Sequence, residues 1–235
     1  MSAFFSPLVE EAIELAAEWH EGTYRKGRWR DSICVPPDAS VARVPTIAHV
    51  TTVALTVARA GWGDETIAAA FLHDALEDAD RWGRALARDV LAARVGERVV
   101  SIVEAVSEPQ RDAEGRPLRW RVRKEAYLAS LGAGPPEAAA VALADKLHNA
   151  HSIASSLESG VDVFASAPGR QALSADAAAQ LWFLEAAVEA TERHRDARLR
   201  PMRERVRVEV ERLRRASPHA SGQGEAKSGH RGLPE

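Results

Sequence analysis

The string His73-Asp74-Ala75-Leu76-Glu77-Asp78 concentrates one imidazole and three carboxylates in six residues. On a continuous helix, with His73 at zero, Asp74 would lie at about 100°, Glu77 at about 40° and Asp78 at about 140°. All four would then share one arc. Three carboxylates on one face repel and take up protons unless a cation joins them, and a divalent metal is such a cation. Adjacent His and Asp do not complete a site alone, so further ligands must come from elsewhere.

Two other segments supply candidates. In Leu143-Ala144-Asp145-Lys146-Leu147-His148-Asn149, helical spacing puts Asp145, His148, Asn149 and Ser152 on one face among apolar neighbours. An Asp there needs a partner, and a metal or Lys146 would serve. The third segment is Pro45-Thr46-Ile47-Ala48-His49, with His49 near a helix start. A solitary histidine of this kind is more often a packed or surface side chain than a ligand. Glu77 and Asp78 at a helix C-terminus oppose the dipole, which favours a functional reason for them.

The elements that position these residues read as helices. Apolar residues recur at helical spacing over 7–26, 46–60, 64–78, 84–95, 97–107, 119–132, 136–157, 173–196 and 198–216. Asp64 suits the N-cap of the third. No run alternates like a strand, so the fold class expected is all-α. Periodicity fails from Gly27 to Pro45, which reads as a long loop carrying Arg28, Trp29, Arg30 and Cys34. Residues 193–215 hold ten Arg against four acidic groups. Their apolar stripe of Leu199, Met202, Val206, Val210 and Leu213 predicts an amphipathic helix docked on the bundle with a solvated basic face. Residues 217–235, rich in Ser, Gly, His and Pro, predict a disordered tail. The expected organisation is a domain over 1–197, a packed helix over 198–216 and the tail over 217–235.

Composition narrows the function classes. Lys plus Arg number 31 against 34 acidic residues, so the chain as a whole does not attract nucleic acid or an anionic membrane. A single cysteine precludes an intramolecular disulfide. Glu10, Glu11 and Glu14 stand where a signal peptide needs basic and apolar residues, and no stretch approaches a membrane span. The expected location is the cytoplasm.

The ordered set His49, His73-Asp74, Glu77-Asp78 and Asp145-x-x-x-Asn149 resembles the HD superfamily of metal-dependent phosphohydrolases. More narrowly, it resembles the hydrolase domain of RelA/SpoT alarmone enzymes and the small alarmone hydrolases. The strings that carry this are Ala16 to Lys26 (AAEWHEGTYRK), Ala68 to Asp78 (AAAFLHDALED) and Ala142 to Asn149 (ALADKLHN). The resemblance implies a compact helical bundle. It implies His49, His73, Asp74 and Asp145 as ligands of one divalent metal, typically manganese. It implies Glu77 and Asp78 as the catalytic pair that orients and deprotonates water. Arg25 and Lys26 match basic residues at the mouth of the nucleotide site, and Asn149 and Ser152 match polar residues facing the nucleotide. The implied reaction removes the 3′-pyrophosphate of guanosine tetra- or pentaphosphate, giving GDP or GTP.

Physical chemistry is compatible with that reading. A divalent cation polarises phosphoryl oxygens and acidifies water. Mixed N/O ligands suit manganese without excluding iron, zinc or cobalt. No histidine lies between His73 and His148, which favours one metal over two. Two features depart from the family pattern. Its usual Pro-Tyr-Ile-x-His-Pro reads Pro45-Thr46-Ile47-Ala48-His49-Val50 here, and the Lys26–His49 connection is longer. Adenosine alarmones, another phosphorylated nucleotide such as the 2′-phosphate of NADPH, and a non-catalytic nucleotide-binding module are therefore the alternatives. Residues 160–235 are too short for an alarmone synthetase domain, so degradation alone is expected.

Overall fold

The computed structural model describes residues 4–30, 42–167 and 171–217. Cys34 and the tail beyond Ser217 lie outside them, as do residues 31–41 of the expected loop. Among the described residues the chain forms nine α-helices and one two-stranded antiparallel sheet.

The helix α1 spans Pro7–Trp19, opened by proline in its first turn and by Ser6, whose Oγ accepts from the Val9 N–H. It ends seven residues before the predicted boundary. The chain turns through Gly22, whose φ of 71° is the left-handed region a glycine enters without strain. It then forms β1 (Tyr24–Arg30), which pairs with β2 (Ala42–Pro45) in the register Tyr24↔Pro45, Trp29↔Arg43 and Arg30↔Ala42. The all-α expectation holds for the bundle, but these strands lie where a loop was expected. Strand patterning is legible only when one face is buried. The β1 sequence Tyr-Arg-Lys-Gly-Arg-Trp-Arg has no apolar alternation; backbone pairing forms the ribbon, with the Arg43 guanidinium 4.3 Å from the centre of the Tyr24 ring across it.

The helix α2 (Thr46–Arg59) follows β2 directly and carries buried His49 on its inner face with Val50, Val53 and Val57. The next, α3, spans Asp64–Leu72; Gly63 is its N-cap and Asp64 its first residue, one position from the predicted cap. The short helices α4 (Arg88–Val95) and α5 (Glu97–Ala105) meet at Gly96, and α6 spans Trp120–Ala133. The 23-residue α7 (Pro136–Glu158) is the central rod. Residues Ala138 to Ala144 are all buried, and these small side chains let α2, α3, α8 (Ala177–Thr191) and α9 (Leu199–Ala216) pack around it. A helix whose middle is buried on all sides is the expected carrier of a site at the centre of a bundle.

The Arg-rich α9 docks through fully buried Leu199, Val206 and Leu213. Many of its arginines are engaged within the molecule. Arg203 donates to the carbonyls of Thr191 and His194, and so caps the end of α8. Arg212 holds Glu158 at 2.5 Å and buried Glu209 at 3.0 Å.

Candidate metal centre and active site

Three segments converge on one point. The ligand atoms of His49, His73 and Asp74 lie within 4.8 Å of one another. Asp145 Oδ1, from α7, is 3.1 Å from His49 Nε2 and 3.7 Å from His73 Nε2. Asp74 Oδ1 lies 3.2 Å from His73 Nε2, and its Oδ2 3.7 Å from His49 Nε2. Both Nε2 atoms are buried and lack a hydrogen-bond partner among the described residues. Orphaned imidazole nitrogens facing two carboxylates are the donor set that a divalent cation completes.

His73 sits where α3 stops. Its Nδ1 lies 2.8 Å from the Ala70 carbonyl, which can only accept, so Nδ1 carries a proton and Nε2 is the nitrogen turned to the cluster, able to offer a lone pair once the ring is neutral. That carbonyl is the one the next helical N–H would have taken. The chain continues instead through turns, with Ala75 N–H to the Leu72 carbonyl at 2.9 Å and Asp78 N–H to the Asp74 carbonyl at 2.9 Å. The expected helix over 64–78 thus ends at Leu72. The turns keep a right-handed course, so His73, Asp74, Glu77 and Asp78 still face one cavity of about 290 Å³.

The electrostatics follow from burial and neighbours. Burial, helped by Arg25, pushes His49 down to about 3 and keeps its ring neutral. Burial also opposes charge on His73, but Asp74 and Asp145 outweigh it and raise the ring to about 9. Asp145 is buried, yet Lys146, at 2.6 Å from Oδ2, and the two histidines hold it well below the usual carboxylate range. Burial, Asp74 and Glu108 push Glu77 up to about 8. Desolvation of the Asp78 carboxyl at the cavity, with Asp74 beside it, raises that group to about 6.

The other predicted residues meet here too. Arg25 on β1 donates to Asn149 Oδ1 and stands 3.9 Å from Asp74 Oδ2. Asn149 in turn donates to Asp145 Oδ1 at 2.7 Å. Lys26 and Ser152 line the same cavity, and the buried Ser152 Oγ has no partner among the described residues. Arg28 belongs to β1, while the side chains of Trp29 and Arg30 lie outside the description.

Sequence reasoning missed part of the lining. Lys124 on α6 pairs with Glu108, and its ammonium lies 4.2 Å from the centre of the Phe183 ring. Lys146 also faces that ring, at 5.0 Å. Tyr24, Gln180 and Leu173 also line the cavity. His148, which helical spacing set on the face of Asp145 without assigning it a role, is half-buried, with its Nδ1 2.6 Å from His49 Nδ1. Helix periodicity placed Lys124, Lys146 and Phe183 on helices and left Glu108 between two of them, but no local pattern links 108, 124 and 183.

Fold and site together define a helical domain built round a candidate divalent-metal centre. The HD domain family model matches residues 38–167, more than half of the chain, and the chain belongs to that family. It is 35% identical over 100 residues to the guanosine-3′,5′-bis(diphosphate) 3′-pyrophosphohydrolase of Aquifex aeolicus (strain VF5). That match covers 43% of this chain and only 12% of the relative's length. Two solved structures share the fold. One, described as a metazoan ortholog of SpoT that hydrolyzes ppGpp and plays a role in starvation responses, superposes with a TM-score of 0.59 at 19% identity. It covers 91% of this chain and 97% of its own. The other, lmo0812 from Listeria monocytogenes EGD-e, gives a TM-score of 0.55 at 23% identity over 70% of this chain and 97% of its own. No helix among the described residues is long and apolar enough to cross a membrane.

Proposed function

We propose that this chain hydrolyses the 3′-pyrophosphate of guanosine tetra- or pentaphosphate, releasing pyrophosphate and GDP or GTP. The observation that carries the reading is the pairing of the His49–His73–Asp74 cluster with Glu77, a carboxyl raised to about 8, in one cavity. The similarity to the Aquifex enzyme supports the choice of substrate. His49, His73, Asp74 and Asp145 would hold one cation, manganese being our assignment. Such a cation supplies charge that polarises a phosphoryl oxygen and favours ionisation of water.

The chain's own residues do the rest. Glu77 and Asp78 orient water and accept its proton; carboxyls raised toward neutrality suit that exchange. Arg25, held by Asn149, and Lys26 meet phosphate oxygens at the cavity mouth. Asn149 and Ser152 face the nucleoside side with free polar capacity, notably Ser152 Oγ. Lys124 and Lys146 add positive charge to the wall by Phe183.

The test is pyrophosphate release from guanosine tetraphosphate by protein stripped of metal and reloaded with manganese. A panel of 3′-pyrophosphorylated adenosine nucleotides and NADPH runs alongside. Release from the guanosine compound in preference to the others is expected. Turnover of none of them would leave a nucleotide-binding module.

A further inference from the structure

We infer that His148 is a positioning residue that fixes His49 in the one tautomer able to ligate a cation. The inference rests on the metal-centre reading above and adds a part to it. The His49 and His148 Nδ1 atoms are 2.6 Å apart, with ring centroids 4.8 Å apart. Two ring nitrogens this close share a single proton, since two protons would clash and two lone pairs would repel. His49 Nε2 faces Asp145 Oδ1 at 3.1 Å and has no hydrogen-bond partner among the described residues. To bind a cation there it must present its lone pair. The ring's proton then sits on Nδ1 and is donated to the lone pair of His148 Nδ1, and His148 carries its own proton on Nε2.

Burial makes the choice consequential. The His49 ring is fully buried with the His148 ring packed on it, so an apolar side chain filling position 148 would leave His49 Nδ1 without an acceptor. The ring would then be free to take the Nε2–H tautomer, which presents a donor to the cation. His73 differs, because its Nδ1 donates to the backbone carbonyl of Ala70, which no substitution removes. Of the two imidazoles in the cluster, only His49 depends on a side chain for its tautomer. His148 lies three residues after Asp145 on α7, so one helix turn delivers both a carboxylate and the acceptor behind its neighbour. Groups behind a ligating histidine commonly orient it and tune its affinity.

The experiment uses the full chain loaded with zinc, a diamagnetic probe, and records long-range proton–nitrogen correlations of the imidazoles. A protonated Nδ1 on His49, a bare Nδ1 with protonated Nε2 on His148, and a metal-shifted His49 Nε2 are expected. A protonated His148 Nδ1 overturns the assignment. Zinc affinity is then compared between wild type, His148→Leu and His148→Gln, with circular dichroism to follow the fold. Leucine offers no acceptor and should weaken binding about 10- to 100-fold, while the glutamine carbonyl should restore part of the loss. Equal affinity for wild type and His148→Leu, or no recovery with Gln, would overturn the assignment. A wild type that takes up no cation removes the metal centre itself, and this assignment with it. Should the leucine variant fail to fold, the wild-type tautomers decide.

Discussion

Glu108 donates its backbone N–H to Oε1 of Glu77 at 2.8 Å, so the connection between α5 and α6 holds the carboxyl proposed as the base. The bond leaves the second oxygen for water. A glutamine can accept the same N–H but cannot take a proton from water. Glu77→Gln should therefore lower turnover by about 100-fold or more while manganese affinity changes only a few-fold. Pyrophosphate release and calorimetric titration measure the two. Unchanged turnover would remove Glu77 from the chemistry.

The same carboxyl makes stability depend on pH in the metal-free protein. Burial first, then Asp74 and Glu108, raises Glu77 from 4.5 to about 8. A raised carboxyl contributes stability fully below its unfolded value and loses it as pH rises through the folded value. Compared with Glu77→Gln, the metal-free wild type should therefore lose ground between pH 5 and pH 8.5, by about 4 kcal/mol at most. Melting both proteins across that range isolates the effect, because groups remote from residue 77 contribute equally to both. A constant difference in Tm would contradict it.

Metal binding should release protons. Without a cation His73 titrates at about 9 and Glu77 at about 8, so both hold protons at neutral pH. Ligation needs the lone pair of His73 Nε2, and a nearby cation favours the Glu77 carboxylate. Apparent manganese affinity should rise with pH from 6 to 9. At pH 7, binding enthalpies in buffers of different ionisation enthalpy should differ by an amount equivalent to about one to two protons. Enthalpies independent of buffer would refute the linkage.

Residue types carried the candidate cluster more than periodicity did. His73-Asp74 with Glu77-Asp78 one turn later is a local signal, and Asp145 with Asn149 is another. Neither depends on knowing where α3 ends. That end was invisible, because the bond from His73 to the Ala70 carbonyl leaves no trace in an apolar pattern. The strands β1 and β2 were hidden for a related reason: neither sequence alternates apolar with polar residues throughout, and the register is a matter of backbone pairing. The wall made by Glu108, Lys124 and Phe183 unites three elements far apart in sequence. Only packing brings such residues together, so single-chain reasoning had no handle on it.

Lys146 should matter more to the metal-free protein than to the loaded one. Its ammonium is 2.6 Å from Asp145 Oδ2 and 4.7 Å from the centre of the Tyr127 ring, and both Asp145 and Lys146 are buried. Lys146→Met keeps the apolar stem but takes from the carboxylate its closest positive charge. Removing one member of a buried pair costs about 3–5 kcal/mol. A cation beside Asp145 would replace part of the lost charge. Denaturant unfolding with and without manganese should show the larger loss without it. Equal losses would mean that Asp145 does not face the cation.

The Arg-rich helix offers the last prediction. The sequence set a domain boundary at residue 197, with α9 packed outside it. Leu199, Val206 and Leu213 are fully buried, and Met202 and Val210 nearly so. Burial of such side chains contributes about 1.5–3 kcal/mol each, so five together rival the whole stability of an ordinary domain, about 5–15 kcal/mol. Glu209, 3% exposed, is held by Arg205 at 2.7 Å, Arg212 at 3.0 Å and His151 of α7 at 3.3 Å. Removing α9 would leave α7 and α8 with an uncovered apolar face. A chain ending at Arg198 should therefore lose cooperative unfolding or aggregate, as calorimetry and gel filtration would detect. If it melts within a few degrees of the full chain, α9 is an accessory and the boundary at 197 is a true one.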